Sequence, residues 1–234
     1  MYKQANISML HYKVTLWRYN LSKIIIHEAI VDKTKKISPN SGKEHKSPTG
    51  LRPVRLNEIN QVHIWLMQAI DESPFYNEEF KQFEKSRLTK SYLLQLFNHD
   101  PAHIMLMLDN EQPCGFMISG PEFGTIWLYW SYLLPAHRKG LLAMSAMRAF
   151  IKYWDNGGFH KIATYTKDGN RPAEMIMKRV RFKHICTLEK HIFGEDYHLY
   201  ELPLNKVSNG YDKGISSSRL SRLKIKIRHV LGLS

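Results

Sequence analysis

The chain of 234 residues is long enough for one large domain, or for a domain of about 150 residues with added segments. Hydrophobic residues make up 43% and charged residues 24%, which is typical of a folded protein and unlike a disordered or fibrous one. The longest apolar run, Ile126 to Leu134, is about half of a membrane span, which excludes an integral membrane protein. Neither a secretory signal nor a Cys-x-x-Cys pair is visible, so we expect a cytoplasmic protein.

The net charge of +13 is concentrated at the two ends of the chain. Residues 1–50 carry nine Lys/Arg and three Asp/Glu, residues 51–202 carry eighteen and seventeen, and residues 203–234 carry seven and one. We therefore expect a basic N-terminal extension with a linker, a nearly neutral folded domain and a basic tail, in that order. Because the folded domain is not basic, it is not expected to read nucleic acid. The basic ends could bind nucleic acid or an anionic membrane, or could serve only solubility.

The first predicted elements surround a linker. Ile7 to Val31 has apolar residues near helical spacing, and Lys33 to Gly50 is rich in Lys, Ser, Pro and Gly, as linkers are. A short strand at Leu51 to Arg55 and an amphipathic helix at Leu56 to Ile70 follow. Asn77 to Phe97 resumes helical character after the Ser-Pro break.

The remaining elements are mostly strands. The turn signals and the apolar runs predict strands at His103–Leu108, Cys114–Ser119, Ile126–Leu134, His160–Thr166, Phe182–Ile192 and Tyr197–Leu202, with helices at Leu141–Trp154 and Asn170–Arg181. A strand–helix–strand connection implies parallel neighbours, whereas hairpins imply antiparallel ones. We therefore expect an α/β (α+β) fold, in which helices flank a mixed, mostly antiparallel central sheet.

A strand that ends at Leu134 leads through a basic loop into a helix, and a second motif runs from Asn170 to Phe182. Together with Gly115 in the preceding hairpin, this order over Leu51 to Leu202 resembles the GCN5-related N-acetyltransferase (GNAT) family. The resemblance implies a GNAT-like fold, acetyl-CoA as the acyl donor and an amine as the acceptor, whose identity the sequence does not give. It also implies that the strand-to-helix loop holds the pyrophosphate of coenzyme A.

The family's loop pattern is Gln/Arg-x-x-Gly-x-Gly/Ala. Free N–H groups at a helix N-terminus bind phosphate, and small residues let the backbone come close to it. The alignment that we prefer starts at Arg138 and puts Leu141 at the first glycine and Ala143 at the last position. An alignment that starts at His137 puts Gly140 at the first glycine instead, but Leu142 at the last position, so neither alignment satisfies the whole pattern. The cofactor-binding residues that the resemblance implies are Leu133, Arg138, Lys139, Gly140, Leu141, Leu142, Ala143 and Asn170. A turn glycine at 140 and a helix cap at Asn170 are the structural alternatives.

The second motif departs from the family. Alignment on Phe182 puts Met177 at a tyrosine that serves many members as the general acid, and Arg181 at a glycine. Methionine cannot donate a proton, so the departing thiolate must be protonated in another way.

The acceptor amine must be neutral when it attacks, yet residues 125–134 contain no Asp or Glu. The catalytic candidates are therefore Tyr129, Tyr132 and Tyr165, although such tyrosines are more often pocket wall. No histidine spacing indicates a metal site.

Two hypotheses follow. The first is an acyl-CoA-dependent N-acyltransferase, and the second is an inactive GNAT-like scaffold that binds through its basic ends. Ser218 to Ser234 reads as a cationic amphipathic helix that could lie on an anionic surface, on its own core or on a second copy in a homodimer. Leu223 to Val230 also alternates nearly as a strand does.

Overall fold

A seven-stranded sheet forms the centre of the part that the computed structural model describes, namely residues 50–138, residues 140–207 and Ile227. Its strands are β1 (Leu51–Pro53), β2 (Ile104–Asp109), β3 (Gln112–Glu122), β4 (Thr125–Leu133), β5 (Lys161–Lys167), β6 (Lys183–Ile192) and β7 (Glu195–Pro203). The helices are α1 (Ile59–Glu72), α2 (Glu78–Arg87), α3 (Lys90–His99), α4 (Leu142–Trp154) and α5 (Arg171–Arg179).

The strand order is β1-β2-β3-β4-β5-β7-β6, and every neighbouring pair is antiparallel except β4 and β5. The parallel pair is the one joined through α4, as a strand–helix–strand connection requires. The expected mixed, mostly antiparallel sheet with flanking helices is confirmed.

Helices pack on both faces of the sheet because successive side chains of a strand point to opposite faces. On β2, Ile104 and Leu106 join the core under α1 and α3, whereas Met105 and Met107 join the core under α4. The apolar side chains of these helices complete each core. Each face therefore has its own core, and the sheet between them is covered on both sides.

The single helical stretch expected over residues 77–97 is wrong, since two helices occupy it. α2 ends at Arg87, and Thr89 caps α3, its Oγ1 accepting a hydrogen bond from the backbone N–H of Tyr92 at 3.2 Å. Threonine satisfies a helix N-terminus better than it sustains a helix interior, so the chain restarts there. The helix expected from Leu56 likewise begins with a 3₁₀ turn, Leu56–Glu58, before α1.

A β-bulge in β4 changes which face its side chains take. Ile118 pairs with Trp130 and Ser119 pairs with Leu128, so Tyr129 is an extra residue on β4. Before the bulge, Leu128 belongs to the core under α4, and after it, Trp130 belongs to the core under α1. Bulges re-aim side chains in this way, frequently beside functional sites.

Three predicted segments lie outside the described residues. They are the helix at residues 7–31, the linker at 33–50 except Gly50, and the tail at 218–234 except Ile227, which is helical and exposed. Among the helices that are described, none combines the length and the apolar character that crossing a membrane requires.

Candidate active site

The parallel strands β4 and β5 separate shortly after they meet. Their pairing covers only Thr125 to Trp127 on β4, and the last link is a hydrogen bond from Thr164 Oγ1 to the carbonyl oxygen of Leu128 at 2.9 Å. Both strands continue beyond this point without pairing to each other. A cavity of about 500 Å³ opens at the gap.

The cavity has walls from both faces of the sheet. The end of α1 and the segment Ser73–Tyr76 form one side, and the first turns of α4 and α5 form the other. The strands, the bulge and the two helix starts thus converge on one space of a size that small-molecule sites have.

Most of the predicted site residues line this cavity. They are Tyr129, Tyr132, Leu133, Arg138, Ala143, Tyr165 and Asn170. Gly140, Leu141 and Leu142 do not line it, and Leu141 is 69% exposed. Lys139 lies outside the described residues. The structure therefore brings together residues that are up to 41 positions apart in the sequence, from Tyr129 to Asn170.

The loop before α4 turns at Gly140, whose φ of +108° is a conformation that side-chain-bearing residues rarely adopt. Leu141 has an ordinary φ of −100° and begins α4 as its N-cap without a side-chain hydrogen bond. Glycine is thus required at position 140 and not at 141, which favours the alignment that starts at His137. The uncapped N-terminus of α4 reaches the cavity at Ala143.

Arg138 bends back onto the strand that precedes it. Its Nε donates a hydrogen bond to the carbonyl oxygen of Leu133 at 2.9 Å, and its guanidinium lies 5.2 Å from the ring centre of Tyr132. Arg138, which is predicted to contact phosphate, therefore also links the loop to β4. These contacts hold its positive charge at the cavity wall.

Asn170 caps α5. Its Oδ1 accepts a hydrogen bond from the backbone N–H of Ala173 at 3.3 Å, and Pro172 occupies the first turn. The capping alternative for Asn170 is thus realised, although the residue also lines the cavity.

A carboxylate that the sequence did not reveal also lines the cavity. Glu72, the last residue of α1, accepts a hydrogen bond from the hydroxyl of Tyr132 at 3.1 Å and another from Gln68 Nε2 at 2.8 Å. β4 itself has no carboxylate, and the fold brings one to the cavity from a helix 60 residues upstream. The nearest sequence signal is the Ser73-Pro74 break, which ends α1 at the cavity.

The three candidate tyrosines all keep their protons at neutral pH. Burial raises the pKa of Tyr129 and of Tyr165, and burial together with the hydrogen bond to Glu72 raises the pKa of Tyr132. These hydroxyls are consequently proton donors and hydrogen-bond partners, not bases. The ring of Tyr129 lies against Gly120, where an added Cβ would come within 2.6 Å of it.

The side chains of two further residues, His137 and Cys114, are poor candidates for catalysis. The ring nitrogen Nδ1 of His137 pairs with Asp109 at 2.8 Å, at the end of β2. Burial and the nearby Asp109 raise the pKa of the Cys114 thiol, so it is a poor nucleophile.

Outside the cavity, three side chains could hold a metal ion. The ligand atoms of Asp168, Glu174 and His198 lie within 4.8 Å of one another. His198 Nε2 is 3.1 Å from Asp168 and 4.0 Å from Glu174, and its Nδ1 is 3.0 Å from the hydroxyl of Thr187. An ion-paired surface cluster accounts for these contacts equally well. The sequence did not indicate this cluster because its members lie on three different elements.

Comparison with known proteins agrees with this geometry. Residues 67–180 match the sequence profile of the acetyltransferase (GNAT) family, whereas no curated protein matches the chain. A GNAT-family acetyltransferase from Streptococcus pneumoniae is 12% identical with a TM-score of 0.56, over 66% of this chain and 98% of that one.

Other solved structures are similar to the same degree. For an N-acetyltransferase from Staphylococcus aureus the identity is 19%, the TM-score 0.53 and the coverage 66% and 98%. For a Salmonella typhimurium protein solved with its cofactor acetyl-CoA the values are 14%, 0.53, 68% and 95%. At these identities the likeness concerns the fold, and the profile match carries the assignment. Residues 67–180 of the chain therefore resemble a GNAT-family acetyltransferase in sequence profile, and the fold around them is the one these structures share.

Proposed function

We propose that the protein is an acyl-CoA-dependent N-acyltransferase that transfers an acetyl group from acetyl-CoA to a primary amine by direct attack. The observation that carries the proposal is the 500 Å³ cavity at the divergence of β4 and β5, with an uncapped helix start at one end. An extended donor with a pyrophosphate along its length suits such a cavity, because the helix start attracts anions.

The donor would be held by the residues that the family resemblance implies. Residues of β4 beyond the gap, which do not pair with β5, line the cavity as far as Leu133, and the turn at Gly140 leads to the N–H groups of α4. Arg138 adds a positive charge at the same wall. Ala143 is small enough there to let a pyrophosphate approach.

Glu72 is the group that we assign to the amine proton. It is the only carboxylate among the described residues that line the cavity, and it is hydrogen-bonded to Tyr132. A proton can pass from the amine to Glu72 directly or through that hydroxyl. The amine nitrogen then forms a bond to the acyl carbon, the carbon–sulfur bond breaks, and the thiolate leaves.

The thiolate needs a proton donor other than residue 177, where the side chain is a buried methionine. We assign this role to Tyr165, which lies on β5 just beyond the last link to β4 and is 39% exposed. Its raised pKa keeps the hydroxyl protonated up to alkaline pH.

The test is thiol release from acetyl-CoA in the presence of primary amines. Glu72→Gln should lower kcat by about a hundredfold or more, the usual range for the loss of a general base. It should leave acetyl-CoA binding intact. The matched control is Glu79→Gln, on the exposed face of α2. Equal kcat values in both variants would refute the assignment.

A second candidate is an inactive scaffold. Met177 and Arg181 stand where the family has a tyrosine and a glycine, and this favours it. The scaffold would act through its basic ends on an anionic partner. It predicts no thiol release with any amine, and an affinity for that partner that falls steeply with salt.

A further inference from the structure

A second cavity of about 220 Å³ adjoins the first on the side away from α4. Both cavities share Tyr76, Leu128, Tyr129, Trp130 and Tyr165, and the bulge of β4 lies at this junction. A group in the second cavity therefore faces the point where β4 and β5 separate, which is where a donor in the first cavity would end.

The walls of the second cavity are predominantly aromatic. Beyond the shared residues they include Phe80, Trp127 and Tyr197. Phe80 stacks on Tyr76 with ring centres 4.3 Å apart, and Trp127 lies 5.1 Å from the ring of Tyr165. Such walls favour a flat apolar body, and the faces of the rings attract a cation.

One of the two carboxylates that line the second cavity already forms an ion pair. Glu84 is 4% exposed, and Arg87 binds it with hydrogen bonds of 2.7 to 2.9 Å, while Trp130 Nε1 donates to it at 2.6 Å. Both of its oxygens are thereby engaged, so Glu84 fixes the indole of Trp130 and leaves no acceptor for a ligand.

The other carboxylate is available. Glu122, at the end of β3, lines the cavity and is exposed, and within residues 50–138 and 140–207 its side chain makes no hydrogen bond or ion pair. Its charge acts on Tyr129 and Tyr165, the two tyrosines at the junction, where it raises the pKa of each. A protonated amine is attracted to this rim, and an anion is repelled.

The tip of the β6–β7 hairpin lies beside the cavity, which Ile192 helps to line. Phe193 packs on Phe83 and Phe80, with ring centres 5.6 and 6.4 Å apart. Asn77 Nδ2 donates to the carbonyl oxygen of Phe193 at 3.4 Å. The cavity volume equals that of about seven water molecules, which suits one ring with a short chain.

We infer that the second cavity is the acceptor site and that the acceptor is a small primary amine on an aromatic body, without a carboxylate of its own. The inference rests on the proposed acetyl transfer and adds the class of amine. The charge of Glu122 disfavours amino acids, and the size of the cavity favours a small amine over a polypeptide.

The experiment compares kcat/KM for thiol release, at saturating acetyl-CoA, among four probe amines with the full chain. They are phenethylamine, phenylalanine, n-butylamine and a short peptide with a free N-terminus. Phenylalanine differs from phenethylamine only by its carboxylate, and n-butylamine lacks the ring. Phenethylamine should exceed n-butylamine by about tenfold or more, since burial of one ring is equivalent to that factor or better. It should also exceed phenylalanine, by about two- to fivefold at low salt, and the peptide.

Variants test the role of Glu122. Glu122→Gln should raise KM for phenethylamine by about two- to fivefold at low salt, the range of an exposed ion pair, and the difference should shrink at high salt. Glu111→Gln, in the exposed β2–β3 turn, is the matched control and should change neither the KM for phenethylamine nor its dependence on salt. Acetyl-CoA affinity should be the same in both variants.

A failure of this inference can be distinguished from a failure of the proposed function. If thiol is released but the peptide or phenylalanine is the better acceptor, the inference is wrong and the proposed function stands. If hexanoyl-CoA is preferred to acetyl-CoA and phenethylamine has no advantage, the second cavity holds the donor's chain instead. If acetyl-CoA binds and no amine of any class releases thiol, the proposed function itself fails.

Discussion

Replacement of Arg181 by glycine should stabilise the protein. Arg181 follows the end of α5 with a φ of +68°, a left-handed conformation that costs a side-chain-bearing residue about 1–2 kcal/mol. The N–H of Phe182 bonds to the carbonyl of Met177 at 2.9 Å, and the N–H of Arg181 bonds to that of Lys178 at 3.2 Å. This is the helix-ending motif in which the left-handed position is usually glycine.

The magnitude follows from two opposing terms. Glycine removes the strain, but it also makes the unfolded chain more flexible, which lowers the free energy of unfolding by about 0.5–1 kcal/mol. The net gain is about 0.5–1 kcal/mol, or about 2 °C in Tm for a chain of this size. Arg181 is exposed and the structure gives its side chain no hydrogen bond among the described residues, so few contacts are lost.

Urea denaturation of Arg181→Gly is the assay, and Arg181→Ala is its control, because alanine removes the charge and keeps the strain. The alanine variant should match the wild type or be slightly less stable. A glycine variant no more stable than the alanine variant would refute the backbone argument.

Two other predictions concern protons. Burial lowers the pKa of His103 to about 3, so its folded form binds fewer protons than the unfolded chain. Its contribution to stability is complete above about pH 6.5 and is lost as the pH falls toward about 3. Between pH 7 and pH 5 the wild type should lose about 2 kcal/mol more than His103→Leu in urea titrations; equal losses would contradict this. Tyr165→Phe should lower kcat by about tenfold or more without weakening acetyl-CoA binding, while wild-type activity should not decline up to about pH 10. A wild-type alkaline decline near pH 8, or full activity of the variant, would exclude Tyr165 as the donor.

The order of the elements could be predicted because it depends on local signals. Alternation and helical spacing mark the strands and helices, and the turn clusters mark their ends. The break between α2 and α3 was not predicted, because one capping threonine, Thr89, outweighs the helical character on both sides. The bulge at Tyr129 depends on pairing with β3 and has no signature in β4 alone.

The part of the candidate site that one sequence motif covers could be predicted. The part that is formed by segments distant in the sequence could not. The residues from Leu133 to Ala143 form one continuous segment, from the end of β4 to the start of α4, so a family pattern could locate them. Glu72 reaches Tyr132 only because α1 packs across the sheet, and no spacing within the sequence encodes that contact. The second cavity likewise combines α2, β4 and the β6–β7 hairpin.

The central claim is that the cavity between β4 and β5 binds acetyl-CoA with its pyrophosphate at the start of α4. Titration calorimetry of acetyl-CoA into the full chain tests it, with Ala143→Glu as the decisive variant. A glutamate at Ala143 would put bulk and negative charge into the cavity wall. Ser145→Glu adds the same charge at an exposed position of α4 that faces Gly50. The account predicts binding with a Kd of about 1–100 μM to the wild type and to Ser145→Glu, and none to Ala143→Glu. The same Kd in all three proteins, or no binding to the wild type, would contradict it.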